Sequence, residues 1–528
     1  MRTRATPLAG TGSASVVRGP VLLWAVLLGT VLLGAVLLGT VGCSSDDGAS
    51  GRDVPSRDES TTTERPLPEG PAADLSVELI GGAGTKVASS SPPDAVLGAA
   101  DYVQQEFEAS GTATAYVPVG EQGADGRWTA RPDRQAPYRT RIVVRRPADP
   151  ADASGGLAGE WLNVSGGLDA DPDWQMLHED ITRNGDTWVG VSAQLLGVEG
   201  GPVPVSTPES VAAGAGKGLK ALDPERYGSL SHPGDDFAYD IYTQVARALA
   251  AGGEPLGGER PALVLGVGES QSAFAMVTYI NAVQPLTDAF DGFFVHSRAK
   301  PGLPIDVGGP AADIAGAIFG PGTRLRDDLD APVMVLQSET DVTGLFGSAE
   351  VRQDDSDTYR LWEIAGTAHA DTRLVGDRSA ALDCGLINAG PMHLVAKAAY
   401  RALVEWASEG TPPPKAPRLE LDPAAAEPTI ARDADGNARG GIRTPLVDVP
   451  VDVLSGAQGP SSEVVCMLSG QTTPLPADAL AARYDGADDY LDRYQAAADA
   501  AIEAGFVLDA DREALLDAAQ PGRVGSTG

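Results

Sequence analysis

The stretch Ala262-Leu-Val-Leu-Gly-Val-Gly-Glu-Ser270-Gln-Ser-Ala constrains the fold more than any other. An apolar strand (Ala262 to Gly266) runs through Gly-Glu-Ser-Gln-Ser into a helical pattern from Gln271 to Val283. A chain that turns from strand to helix this sharply needs small residues on either side, because larger side chains would collide as the two close. Gly268 and Ser272 supply them, Ser272 being a mild departure from the usual glycine. Such an elbow strains the backbone of Ser270, exposes its hydroxyl and aims the N-terminus of the next helix at a developing negative charge. Gly-x-Ser-x-small also arises by chance in a chain with 64 glycines, so the remaining catalytic groups have to be found.

A serine hydroxyl becomes a nucleophile only when a base takes its proton, and an imidazole base needs a carboxylate to orient it. The chain has five histidines. His178 falls in a helical pattern, His232 in Ser-His-Pro-Gly, His296 at a strand end, and His393 at the start of a closing helix. His369 stands apart, in the loop Ala-Gly-Thr-Ala-His-Ala-Asp after the strand Leu361-Trp-Glu-Ile364, and is the expected base with His296 in reserve. The acid should end the intervening strand, and Pro332-Val-Met-Val-Leu-Gln-Ser338 runs into Glu339-Thr-Asp341. Asp341, three residues past Ser338, has the preferred offset, with Glu339 as the alternative. The order Ser, acid, His is that of an α/β-hydrolase. Two backbone amides should hold the oxyanion. One is that of Gln271, and the other comes from Asn163-Val-Ser-Gly-Gly-Leu168, with Gly166 and Gly167 named jointly.

Strand-like runs alternate with helical patterns, so the expected class is α/β: an α/β-hydrolase fold with a mostly parallel central sheet and helices on both faces. Strands are expected at 75–80, 112–117, 138–145, 160–164, 187–193, 290–295, 332–337 and 359–364, with helices at 237–250 and 391–408. A Gly/Pro-rich insertion between Arg298 and Asp330 is placed either to cover a pocket as a lid or to serve as an ordinary packed connection. After Pro414 comes a C-terminal extension with a strand-like Val464 to Leu468 and a helical tail from Asp478. The expected organisation is a signal at 1–43, a tether at 44–72, a catalytic domain at 73–414 and the packed extension at 415–528.

Several of these segments together resemble a bacterial family known as alpha/beta hydrolase domain-containing proteins, large and often exported. They are Gly-Glu-Ser-Gln-Ser, Tyr279-Ile-Asn-Ala, Phe290-Asp-Gly-Phe-Phe-Val-His-Ser-Arg, Gln-Ser-Glu-Thr-Asp-Val and Ala-Gly-Thr-Ala-His, with Trp161-Leu-Asn-Val-Ser-Gly-Gly and Trp188-Val-Gly-Val-Ser-Ala-Gln upstream. The likeness covers most of residues 75 to 525. It implies the hydrolase fold and a serine mechanism, and it names no substrate.

The first residues read as an export signal. A basic leader (Arg2, Arg4, Arg18) precedes an apolar run ending at Thr40-Val-Gly-Cys43. Cys43 is the expected lipidation site of a lipoprotein, anchoring the chain to the outer face of the bacterial membrane; an uncleaved helix is the alternative, since the run is long enough to span a bilayer. Export would leave Cys384 and Cys466 in an oxidising compartment, where a disulfide is expected over two free thiols. A net charge of −34 repels phosphate backbones, so no nucleic-acid partner is expected. Asp169-Ala-Asp171-Pro-Asp173 has calcium-loop spacing, but Trp174 stands where a glycine is needed and Pro172 stiffens the turn. No metal or cofactor is expected. The function read from these residues is hydrolysis of a small-molecule carboxylic ester through an acyl-enzyme. The alternatives are an amidase or peptidase with the same triad, or a catalytically silent surface binding protein on the same fold.

Overall fold

The apolar runs around the elbow become a stack of neighbouring parallel strands in the computed structural model, which describes residues 66–89, 93–205, 213–459, 461 and 463–525. The strands are β1 (Asp74–Glu78), β2 (Tyr102–Pro118), β3 (Ala130–Pro147), β4 (Gly156–Trp161), β5 (Thr187–Val191), β6 (Leu263–Glu269), β7 (Gly292–His296), β8 (Val333–Ser338) and β9 (Tyr359–Ile364). They form one nine-stranded sheet in the order β1-β2-β3-β5-β4-β6-β7-β8-β9. From β5 to β9 every pairing is parallel, while β1, β2, β3 and β5 pair antiparallel. This is the expected α/β-hydrolase architecture.

Strands β6 to β9 are buried along their whole length, as a parallel sheet covered on both faces requires. Alternate residues serve opposite faces. Val264, Phe293, Val335 and Leu361 join one core with the helices Ala238–Ala250 and Gln271–Thr278. Leu265, Phe294, Leu336 and Trp362 join the other, with the helices Pro172–Asn184 and Met392–Glu409.

Four elements differ most from the sequence expectation. Strands β2 and β3 form a hairpin far longer than the short strands expected at 112–117 and 138–145. Polar residues in the extra length masked it, and one of them, Glu106 of β2, is buried in an ion pair. Arg141 reaches Glu106 at 2.7 Å and Asp169 at 2.5 Å. Arg145 reaches Asp171 at 2.6 Å with its guanidinium over Trp174 and Trp188, 4.6 and 4.3 Å from their ring centres. Strand β4 ends at Trp161 rather than Val164, because Asn163 leaves the sheet to exchange backbone hydrogen bonds with Ala170 at 3.0 and 2.8 Å. Val464–Leu468 is a short helix, not a strand. The amides of Cys466 and Met467 turn back to the carbonyl of Glu463 at 2.9 and 3.0 Å, and so short an apolar run carries no period that separates helix from strand.

The described residues all belong to one compact unit, Glu64–Gly528. The chain beyond residue 414 runs along the β9 edge. Pro413 and Pro414 carbonyls accept from Arg360 Nε and Trp362 Nε1, both at 2.9 Å, and Ile442 bridges Ile364. Ala498 and Ala501, on the helix Ala487–Glu503, enter the same core as Trp362. The signal, Cys43 and the tether up to residue 65 lie outside the described residues.

Candidate active site

Ser270 follows the last residue of β6 with φ 58° and ψ −122°, a left-handed backbone that costs a non-glycine residue strain. Two bonds hold it there: its amide donates to the His296 carbonyl at 2.9 Å, and its carbonyl accepts from the Phe274 amide at 3.1 Å. Gly268 is required by close approach. A Cβ there would stand 3.0 Å from the backbone of Ser272 and from Met276 Cγ.

The serine hydroxyl lies 2.8 Å from Nε2 of His369, whose Nδ1 lies 2.7 Å from Oδ1 of Asp341. With Nδ1 donating to the carboxylate, Nε2 is left free to accept the serine proton. Asp341 is itself fixed, since its Oδ2 accepts from the amide and hydroxyl of Ser338 at 2.6 and 2.7 Å. Burial alone would push this carboxyl up, but the neighbouring imidazole and the Ser338 donors outweigh it and hold it below the usual aspartate range. The ring of Phe346 meets the imidazole edge-on, 4.6 Å between centres, and limits its rotation.

Glu339 faces elsewhere. Its carboxylate accepts from the amides of Gly366 (2.6 Å) and Gly456 (3.0 Å) and pairs with Arg432 (2.7 Å). It ties the loop before His369 to the C-terminal segment and does not reach the imidazole. The reserve base, His296, hydrogen-bonds Asp173 at 2.8 Å through Nδ1, and its backbone, not its ring, serves the elbow. His178 bonds the Trp174 carbonyl and His232 the Ala193 carbonyl. His393 is half-buried, and its desolvation with the nearby cations Arg373 and Lys397 pushes its imidazole down to about 3. The three aspartates with calcium-loop spacing are each taken by a basic side chain: Asp169 by Arg141, Asp171 by Arg145 and Asp173 by His296.

The expected oxyanion loop is pinned to the elbow. Asn163 donates through Nδ2 to the Glu269 carbonyl at 3.1 Å and accepts from the Ser165 amide at 2.8 Å. The side chain of Gln271 accepts from the Val164 amide at 3.2 Å and donates to Gln194 at 2.7 Å. The glycine pair divides. Gly166 lines the cavity in front of Ser270. Gly167 does not supply an amide, because its N–H already donates to the Val164 carbonyl at 2.9 Å. It is a turn residue with φ 79°, where a Cβ would stand 2.7 Å from Val203. The amide of Gln271 opens its helix and has no partner within it.

The cavity measures about 250 Å³ and its walls are mostly apolar, with Phe274, Ile314, Ile318, Phe346, Leu382 and Leu468 among them. Ile314 and Ile318 come from the 298–330 insertion, which therefore borders the cavity. A disulfide joins Cys384 to Cys466. It links two segments that wall the cavity, through Leu382 on one side and Val464, Val465 and Leu468 on the other.

Three residues at the site carried no sequence signal strong enough to single them out. Gln194 and Phe346 act on Gln271 and His369 across long stretches of chain. Glu269 sat inside the motif without a role. It is buried, and its Oε1 stands 3.4 Å from Nε2 of His369 with no hydrogen-bond partner. Burial first, then Asp173, Asp341, Glu160 and Asp371, pushes its carboxyl well above the ordinary range, toward the neutral acid.

A model of the alpha/beta hydrolase domain family matches residues 63–517. No curated protein matches the chain. Among solved structures, carboxyl esterase 2 of the mycorrhizal fungus Tuber melanosporum is 13% identical, with 56% of this chain and 88% of that one covered and a TM-score of 0.28. A glucuronoyl esterase from Solibacter usitatus is 10% identical over 56% and 83% of the two chains, TM-score 0.25. A serine hydrolase without a lid from Xanthomonas campestris is 12% identical over 48% and 83%, TM-score 0.24. These likenesses are remote.

Proposed function

The chain belongs to the alpha/beta hydrolase domain family, and on that premise we propose that it is a serine hydrolase cleaving carboxylic esters. The unbroken hydrogen-bond chain Ser270–His369–Asp341 carries this reading. Ser270 Oγ attacks the ester carbonyl as His369 Nε2 takes its proton. Asp341 keeps the imidazole in the right tautomer and offsets the charge it gains. The oxyanion is held by the amides of Gln271 and Gly166, with Gly167 shaping the turn. His369 then returns the proton to the leaving alcohol, and water attacks the acyl-enzyme by the same route in reverse.

In this reading the enzyme works outside the cytoplasm, held at the membrane by lipid on Cys43. The Cys384–Cys466 bridge supports such a compartment, since structural disulfides are rare where thiols are kept reduced.

The test is labelling of the purified protein with a fluorophosphonate probe, followed by turnover of short and long p-nitrophenyl esters. Labelling and turnover should both vanish in Ser270→Ala, with the melting temperature nearly unchanged. Persistent labelling of that variant would remove Ser270 as nucleophile, and labelling without ester turnover would favour an amide substrate.

A further inference from the structure

Among the described residues lining the cavity, the ionisable side chains are Glu269, His369 and Arg378. Glu269 is pushed toward its neutral acid and His369 is committed to Ser270 and Asp341. Among the described lining residues Arg378 is thus the sole fixed charge in a mostly apolar chamber. It is a cation in a protein of net charge −34.

Its hydrogen bonding is incomplete. The half-buried guanidinium donates through Nε to the Val375 carbonyl at 3.2 Å. Neither η-nitrogen has a protein partner among the described residues, and no carboxylate is within ion-pair distance. The acid that bears on it electrostatically, Asp171, is spent on Arg145 at 2.6 Å and Ser89 at 2.8 Å. The other polar side chains of the lining are occupied too: Asn163 with Glu269 and Ser165, and Gln271 with Val164 and Gln194. Partly desolvating a guanidinium against apolar walls is unfavourable unless something pairs with it. Its two η-nitrogens form a fork that fits a carboxylate with two parallel hydrogen bonds.

We propose that Arg378 is a specificity-determining residue that selects esters with an apolar body and a carboxylate remote from the scissile bond. This rests on the serine-hydrolase reading above. The apolar walls take the body of the substrate, Ser270 faces its ester, and the arginine fork takes the anion. Negative surface charge opposes the approach of any anion, so the selectivity belongs to the chamber and not to long-range attraction.

The experiment uses two matched ester pairs at about 0.15 M salt, where long-range surface charge is largely screened. One pair carries the anion on the alcohol side, 4-acetoxybenzoate against 4-acetoxybenzamide. The other carries it on the acyl side, p-nitrophenyl hydrogen glutarate against p-nitrophenyl pentanoate. In at least one pair the charged member should have a kcat/KM about tenfold or more higher, the size expected for a charge-assisted hydrogen bond. Arg378→Gln should abolish that preference while leaving the neutral esters within about twofold, and Arg378→Lys should restore part of it. A purely structural role would slow charged and neutral esters alike.

No preference in either pair, or a preference that survives Arg378→Gln, overturns the proposal. Fluorophosphonate labelling of Ser270 without turnover of any of the four esters overturns it too, but leaves the nucleophile standing. Absence of both labelling and turnover overturns the serine-hydrolase reading itself.

Discussion

Two carboxylates two residues apart separate cleanly by what they touch. Asp341 bonds the imidazole at 2.7 Å, whereas Glu339 is bound to two backbone amides and Arg432. Asp341→Asn should therefore lower kcat by about 10⁴ with little loss of stability, because the amide leaves the imidazole in the wrong tautomer. Glu339→Gln should instead lower the melting temperature, by about 1–3 kcal/mol of stability, and leave kcat within an order of magnitude. Stopped turnover in Glu339→Gln at full stability would reverse the assignment. The three-residue offset from Ser338 made this choice legible in the sequence, because strand ends in this fold present the acid at a fixed reach. Glu269 was not legible in that way, since nothing local shows that burial and four other carboxyls surround it. Because its environment favours the neutral acid, Glu269→Gln should keep most of the wild-type activity at the acid end of the pH profile. The two enzymes should diverge as pH rises and the glutamate ionises, which the glutamine cannot do. A large loss that persists at the acid end would mean that the wild type uses the carboxylate.

At the scale of elements, sequence and structure agree best where a strand is buried on both faces and least where polar residues are hidden by pairing. Strands β6 to β9 read directly as apolar runs, whereas Gln104 to Glu108 in β2 did not, because the partner of Glu106 is Arg141 on the neighbouring strand. The segment from residue 371 to 387 after His369 was opaque for another reason: its place is set by a disulfide and by buried caps. Removing the bridge by Cys384→Ser with Cys466→Ser should cost about 2–5 kcal/mol, and KM should rise more than kcat falls because two cavity walls lose their tie. Unchanged KM would show that the walls hold without it. Asp371 caps the short helix Thr372–Val375 by accepting from the Leu374 amide at 3.0 Å. Burial raises its carboxyl from 3.8 to about 6, against the opposing pull of the Leu374 and Arg373 amides. An acid with a raised folded-state pKa binds its proton more tightly folded than unfolded. Its stabilising contribution is whole below pH 4 and is lost as pH rises through about 6. Asp371→Asn caps equally well without a proton. Its melting temperature relative to wild type should therefore climb between about pH 4 and 7, by the equivalent of up to about 3 kcal/mol. A difference that stays flat across that window would mean that Asp371 is ionised throughout.

Over the whole molecule, the excess of acidic groups is the property with the widest consequence. The chain has 73 Asp and Glu against 39 Lys and Arg. Many of its cations are spent internally, as Arg141, Arg145, Arg401 and Lys397 are on buried or half-buried carboxylates. Cations held inside cannot offset acids at the surface, so the folded state carries a net negative exterior that repels itself more than the expanded chain does. Salt screens interactions between exposed charges beyond a distance of about 10 Å at 0.1 M and much less those between buried pairs. Raising NaCl from about 10 mM to 0.5 M should therefore raise the melting temperature, relieving surface repulsion while leaving the internal pairs nearly intact. The charge count makes this expectation legible from sequence, but its sign depends on where the cations sit, and composition cannot reveal that. A melting temperature that fell with salt would show that surface ion pairs, not surface repulsion, dominate the electrostatic stability of this fold.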